Sequence, residues 1–355
     1  MWKMLESSWL SSKNWLIKMR RNIVAFGEVM MRLQVPGYEL LTQANHLQYS
    51  FSGTGVNVAS AMTKLGHKGY LITKLPDNPL GDAAITFLQR LGIEQDFIAR
   101  DGKYIGMYFL ENGFGQRASR VTYTNRLEST FNTADISDYN LDVIAAHTDI
   151  IHFCGISLAM TDTVRASMKK LAAKVKEKGG KVCFDCNYRP SLWKGGYEAA
   201  KPHYEEMLSL ADIVMMNEKD AMYILGMESK KLERKEQLQD VIPKAAEQFR
   251  ISVIAGTHRE INADNTHSLQ GYLFKQGKFV FSKKLTFSVY DRIGAGDAYT
   301  SGILHGELSG FTTGKTVAFA AAAGMLACTI VGDTPMSTEA EIAAAMAGGV
   351  GDVER

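Results

Sequence analysis

From Ile150 onward the sequence alternates short apolar runs with longer amphipathic ones, and this rhythm limits the fold more than any other feature. The short runs are Ile150–Cys154, Lys181–Asp185, Ile213–Met216 and Ser252–Ala255. Between them lie Thr161–Lys178, Tyr197–Ser209, Glu218–Leu225 and Gln237–Gln248, which carry helical periodicity. Parallel strands need crossover connections, usually helical, so the pattern predicts a mostly parallel sheet flanked by helices. The first half adds a first, central strand over Ile23–Val29, a helix over Asn57–Leu65 and a strand over Tyr70–Lys74. A helix over Asp82–Leu91 and a strand near Phe97–Ala99 follow. Two stretches break the rhythm. Residues 31–51 bend at Pro36-Gly37, and residues 104–126 alternate as Tyr104–Glu111 and Arg120–Tyr123 around Asn112-Gly113. An antiparallel patch is expected at Ser268–Phe274 with Phe279–Phe281. Helices from Ala298, Lys315 and Thr338 close the chain.

Composition narrows the partners. The chain has 355 residues, 46% apolar and 22% charged, enough for a sizeable core. A net charge of +2 asks for neither nucleic acid nor an anionic membrane. The basic run Lys230–Lys235, broken by Glu233, reads as a solvated helix face. Four cysteines are too few for a disulfide framework, and Cys183 and Cys186 fall on opposite faces of an expected strand, so a cytoplasmic setting fits best. No stretch reaches the length of a spanning helix; Thr316–Val331 is read as a buried core helix. Residues 1–21 are expected to be an extension that is not a signal peptide, with one α/β domain over 22–355.

Asp291-Arg292-Ile293-Gly294-Ala295-Gly296-Asp297 precedes an apolar helix. Glycines allow a sharp turn and a close approach to a ligand. The helix start offers unpaired N–H groups and the positive end of the dipole, which suits phosphate. An acid in such a cradle is electrostatically awkward unless it removes a proton from an attacking hydroxyl. The alternative is an ordinary glycine turn with Asp297 as a dipole partner. Other polar residues fall at expected strand ends, where open α/β sheets bind ligands. Glu28 follows the first strand. Gly53, Gly55 and Asn57 open a helix, where Asn57 on local grounds is a cap or a hydrogen-bonding group. In Asp185-Cys186-Asn187-Tyr188-Arg189-Pro190-Ser191-Leu192-Trp193 an apolar strand turns abruptly polar. Arg189 there suits a carboxylate, or alternatively pairs with an acid of its own loop.

The segment DRIGAGDAYTSGIL resembles the C-terminal signature of the ribokinase/PfkB family of sugar kinases, with Arg292 where Thr is usual. Ser52-Gly53-Thr54-Gly55-Val56-Asn57-Val58-Ala59 is similar to the family's earlier glycine signature. The resemblance covers nearly everything after the first twenty residues. It implies a ribokinase-like α/β fold whose insertions, about 31–51 and 104–126, join as a small β-sheet lid. It also implies ATP and Mg²⁺, with K⁺ a further candidate ion. Asp297 would be the catalytic base, with Gly294, Ala295 and Gly296 forming the anion hole. Gly53, Gly55 and Asn57 would contact sugar hydroxyls.

D-x-N-x-R-x-x-L-W is similar to the matching segment of the family's 2-keto-3-deoxygluconate kinases, and Tyr108, Tyr123 and Arg126 resemble their lid residues. With Arg189 these imply a sugar acid as acceptor, Glu28 being a further candidate substrate contact, although Thr124 and Asn125 stand where further aromatics are common. Asn217-Glu218-Lys219-Asp220 resembles the family's N-x-x-E motif, with the shorter Asp220 reaching Mg²⁺ through water. Asn217, Gly256, Thr257, Arg259, Arg292, Gly294 and Gly296 would face the nucleotide, and Ala320–Asp333 its adenine. The competing readings are a neutral-sugar kinase such as a fructokinase, and a binding regulator without catalysis. A Rossmann dehydrogenase lacks its G-x-G-x-x-G here. The lid's outer face is a candidate contact between subunits.

Overall fold

The computed structural model describes residues 20–348, so the first residues of the expected extension lie outside it. Arg21 is already tied to the fold, its guanidinium 3.2 Å from Asp149. The large sheet contains β1 (Asn22–Phe26), β4 (Lys68–Leu75), β5 (Ile98–Arg100), β8 (Ile150–Cys154), β9 (Lys181–Asp185) and β10 (Ile213–Met215). Its other members are β11 (Val253–Ile261), β12 (His267–Lys275), β13 (Lys278–Phe281) and β14 (Leu285–Phe287). Their order is β13-β12-β11-β10-β9-β8-β1-β4-β5, with β14 pairing β12. Pairs from β11 through β5 are parallel; β12 and its partners are antiparallel. This is the ribokinase-like α/β fold.

β1 is third from one edge rather than central. It is nevertheless where the strand order reverses, because the chain runs from β1 to β4 on one side and later to β8 on the other. Such a switch point opens a crevice beyond the strand ends. Alternation within β1 feeds the cores of both faces: Val24 and Phe26 pack with Phe153 and Phe184, while Ile23 packs with Val58, Ile303 and Ala320. Cys183 and Cys186 likewise divide between the two cores.

The two insertions form a second sheet of four strands, β2 (Met30–Gln34), β3 (Gln48–Ser52), β6 (Gly106–Glu111) and β7 (Arg120–Thr124), in the order β3-β2-β6-β7. β2 and β6 are parallel, which the intervening helices and strands permit, and the outer pairings are antiparallel. Residues 112–119 form a longer connection than the expected turn at Asn112-Gly113. A helix over Leu141–Ala146 and strand β14 were not anticipated. Helix starts shift to Pro79, Arg234 and Ala295, where Asn78 supplies the cap for the first. The basic run mostly precedes its helix, with only Arg234 and Lys235 inside it. The expected helix over Glu218–Leu225 is present as a short helical segment that begins at Glu218 and is π-helical over Asp220–Ile224.

Candidate active site

The helix Ala295–Leu308 starts on Gly294, whose φ of +85° favours glycine. A Cβ on Gly294 would also collide with the Asp333 carbonyl, whereas one on Gly296 would meet open space. Gly296 therefore faces outward at the helix start, beside first-turn N–H groups that have no carbonyl a turn earlier to accept them. Ala295 N–H makes only a long contact with the Arg292 carbonyl, 3.5 Å.

Asp297 sits one residue further in and is buried. Asn57 Nδ2 donates to its Oδ2 at 2.7 Å, and Thr334 Oγ1 donates to Asn57 Oδ1 at 3.3 Å. Asn57 lies within the helix Thr54–Lys64 and does not cap it. Burial pushes the Asp297 carboxyl up to about 8, assisted by the charges of Asp185 and Asp333 and opposed by the Asn57 bond and Arg189.

The glycines of the earlier signature have an internal reason. A Cβ on Gly53 would strike the Glu28 carbonyl, and one on Gly55 would press on Leu71 and Gly27. They let the helix Thr54–Lys64 close against the end of β1, so their lack of side chains is explained without a ligand. Gly256 is similar, bounded by the Met216 carbonyl and Tyr272.

Arg189 is exposed, and its guanidinium donates to the Tyr188 carbonyl at 3.3 Å. Its charge lowers the carboxyls of Asp185, Asp220 and Asp297, so it lies among three acids. Burial still holds Asp185 at about 6 and Asp220 at about 7. Asp220 Oδ2 accepts Asn217 N–H at 2.9 Å, and Asn217 Oδ1 accepts Lys219 N–H at 2.8 Å. This reciprocal turn presents Asp220 beyond β10. Glu218 points elsewhere, paired with Arg234 at 2.7 Å and His258 at 3.0 Å. Those partners hold its carboxyl at about 2 despite burial, so it is a buried ion-pair partner at the start of its helical turn.

Arg126 takes a different position from Arg189. Its Nε donates to Glu28 Oε2 at 2.8 Å, while Glu28 Oε1 accepts from Ser129 at 2.8 Å and Asn132 at 3.1 Å. Through these partners Glu28 tethers the Arg126 loop to the end of β1. Arg126 also lies over the Tyr123 ring at 4.7 Å, and its Nη1 is buried without a hydrogen-bond partner. Tyr108 is buried, its hydroxyl 2.7 Å from Ser52 Oγ; Tyr123, its register partner, is more open.

On the other side of the helix start, Thr257 and Arg259 continue β11 and Arg292 precedes Gly294. Arg259 is half-buried; burial and the neighbouring Arg292 lower its pKa. Two cations close enough to repel suit a polyanion. Ala320–Ala322 are fully buried in the core. Asp333, expected beside adenine, instead packs its carbonyl on Gly294 and its carboxylate 3.4 Å from Arg32. That arginine, together with Ser129 and Asn132, was not legible as part of the site. The one signal was a charged residue inside the apolar run of β2.

The PfkB family carbohydrate kinase profile matches residues 20–340. The chain is 28% identical over 337 residues, 95% of its length and 100% of the relative's, to a 2-dehydro-3-deoxygalactonokinase from Haloferax volcanii. It is 24% identical over 90% of its length, and 93% of the relative's, to a 2-dehydro-3-deoxygluconokinase from Thermoproteus tenax. Among solved structures it is similar to a 2-dehydro-3-deoxygluconokinase from Thermotoga maritima, with 32% identity and a TM-score of 0.88. That match covers 93% of this chain and 99% of the other. A candidate 2-keto-3-deoxygluconate kinase from Enterococcus faecalis gives 38% identity and a TM-score of 0.90, covering 94% of this chain and 99% of the other. With both glycine signatures on one fold and the family profile spanning nearly all of it, the chain belongs to the PfkB family of carbohydrate kinases.

Proposed function

We propose that this kinase transfers the γ-phosphoryl group of ATP to the primary hydroxyl of a 2-keto-3-deoxy sugar acid, with 2-keto-3-deoxygluconate the preferred acceptor and O6 the attacking atom. The observation that carries the reaction is Asp297: a buried carboxylate at the open start of a helix, held by Asn57 and one residue beyond an outward-facing glycine. The names of the most similar relatives support the acceptor class. So does the buried, unpartnered Nη1 of Arg126, and so does the exposed Arg189.

In this reading Asp297 takes the proton from the sugar hydroxyl as its oxygen attacks the γ-phosphorus and the bond to the β-phosphate bridge breaks. The transition state is loose, so positioning and charge neutralisation dominate. The N–H groups of Ala295, Gly296 and Asp297 would receive charge on the transferring group. Arg259 and Arg292 would hold the donor phosphates, beside Asn217, Gly256 and Thr257. Arg126 and Arg189 would hold the acid's carboxylate, with Tyr108 and Tyr123 packing the acceptor and Gly53, Gly55 and Asn57 lining it through backbone and amide. The donor set fits Mg²⁺ in one respect: Asp220 is a buried carboxylate whose charge is poorly relieved. The ion, held there through water, would supply charge neutralisation on the phosphates. Closure of the small sheet over the acceptor would exclude water.

Phosphorus NMR of the product tests the assignment. A phosphomonoester coupled to a methylene, on an acid retaining its 2-keto group, is expected. A phosphate on a secondary carbon or a neutral sugar would overturn it.

A further inference from the structure

Arg32 is the largest fully buried side chain in the described structure, 1% exposed, and it lies on β2 of the small sheet. Its Nε and Nη2 donate to Gln34 Oε1 at 3.2 and 2.6 Å, and Nη2 also donates to Asp291 Oδ2 at 3.0 Å. Nη1 lies 3.4 Å from Asp333 Oδ1. Only Gln34 belongs to its own strand. The two acids belong to the large domain, and each leads to the anion-binding turn. Asp291 Oδ1 accepts Ile293 N–H at 3.1 Å, fixing the residue before Gly294. The Asp333 carbonyl packs directly on Gly294, and the next residue, Thr334, holds the Asn57 amide that bonds Asp297. Ile293 meanwhile packs against Met30, Tyr108 and Leu110 of the small sheet.

We propose that Arg32 is a positioning residue for phosphoryl transfer, a cation carried by the small sheet that clamps Asp291 and Asp333 and so sets the Gly294–Asp297 turn. The acceptor-covering sheet and the phosphate-binding turn then form one unit. When the sheet swings away the guanidinium leaves two buried acids that repel, and the turn relaxes. When it seats, the turn is drawn into register with the acceptor. The cation also makes empty closure costly to mis-set, because an Arg fork spans two carboxylates only in one geometry. This rests on the kinase reading of the site but not on which sugar is used.

The test is steady-state kinetics of Arg32→Lys and Arg32→Ala on whichever sugar the wild type phosphorylates fastest, at temperatures well below each variant's Tm. Displacing reacting groups by a fraction of an ångström to one ångström costs up to about a hundredfold. We therefore expect kcat to fall by about that factor in Arg32→Ala and less in Arg32→Lys. The acceptor KM should change little, and added guanidinium ion should restore part of the Ala variant's kcat. If the Ala variant does not fold, the Lys variant decides, since a shorter side chain with a point charge lacks the planar fork that reaches Gln34, Asp291 and Asp333 at once: its kcat must still fall. Wild-type kcat with only a lowered Tm, or a lost kcat that guanidinium leaves untouched, overturns the proposal. A wild type that prefers a neutral sugar would instead overturn the acceptor assignment, while the Arg32 result would stand on that sugar.

Discussion

Asn57 donates its side-chain amide to Asp297 across 2.7 Å, joining the first helix after β1 to the helix of the C-terminal signature, 240 residues away. The two glycine signatures therefore meet at one carboxylate. The bond favours the ionised form of Asp297, while burial and two neighbouring acids favour the protonated one, and the balance stands near 8.

Asp297→Asn keeps the hydrogen-bonding shape and removes the base. It should fold, bind ATP and lose at least about a hundredfold in kcat, the usual scale for general-base removal. Isothermal calorimetry for ATP and a coupled assay for turnover check both halves. Near-normal turnover would reject the base.

The pH profile follows from the same group. With Asp297 active only when ionised, kcat/KM should rise with pH and level off above about 8. Asn57→Ala withdraws a bond that lowers this pKa, so the acid limb should move to higher pH. An unmoved limb would show that another group is titrating.

Gly294 and Gly296 should respond oppositely to alanine. Gly294→Ala meets the Asp333 carbonyl and a positive φ, so it should lower stability by more than about 1 kcal/mol. Gly296→Ala projects into open space, so Tm should hold while KM for ATP rises or kcat falls. Thermal melts with matched kinetics distinguish the two positions.

Arg189→Ala should raise KM for the sugar acid with little loss of stability, because the residue is exposed. Arg126→Ala should also destabilise the protein, by about 3–5 kcal/mol on the scale for a buried pair that loses one partner, since Glu28 would remain buried. Denaturant titration beside the kinetics separates binding from folding.

The parallel sheet was legible because each apolar run is short and each intervening segment keeps a helical period. Asp297 and Asn57 were legible through the glycines that flank them. Other features depended on tertiary approach. Gly53 and Gly55 read as openings for a ligand, and nothing local gives the second, internal reason for them: the Glu28 carbonyl, Gly27 and Leu71 stand where a Cβ would go. Glu28 read as a ligand contact at a strand end, and nothing local says that Ser129 and Asn132 will bond its Oε1 and Arg126 its Oε2. Glu218 opens an expected helix, and nothing local says that Arg234 and His258 will reach it from two other elements. Asp333 lies in a short Gly-Asp-Thr-Pro turn, and nothing local says that an arginine of the small sheet will find it.

The most direct measurement is the initial rate of ATP consumption by the wild type with 2-keto-3-deoxygluconate, 2-keto-3-deoxygalactonate, gluconate, fructose and ribose at equal concentrations. The account predicts fast turnover with the 2-keto-3-deoxy acids, the gluconate-derived one foremost, and weak turnover with the neutral sugars. Faster turnover of fructose or ribose than of either keto acid would contradict it.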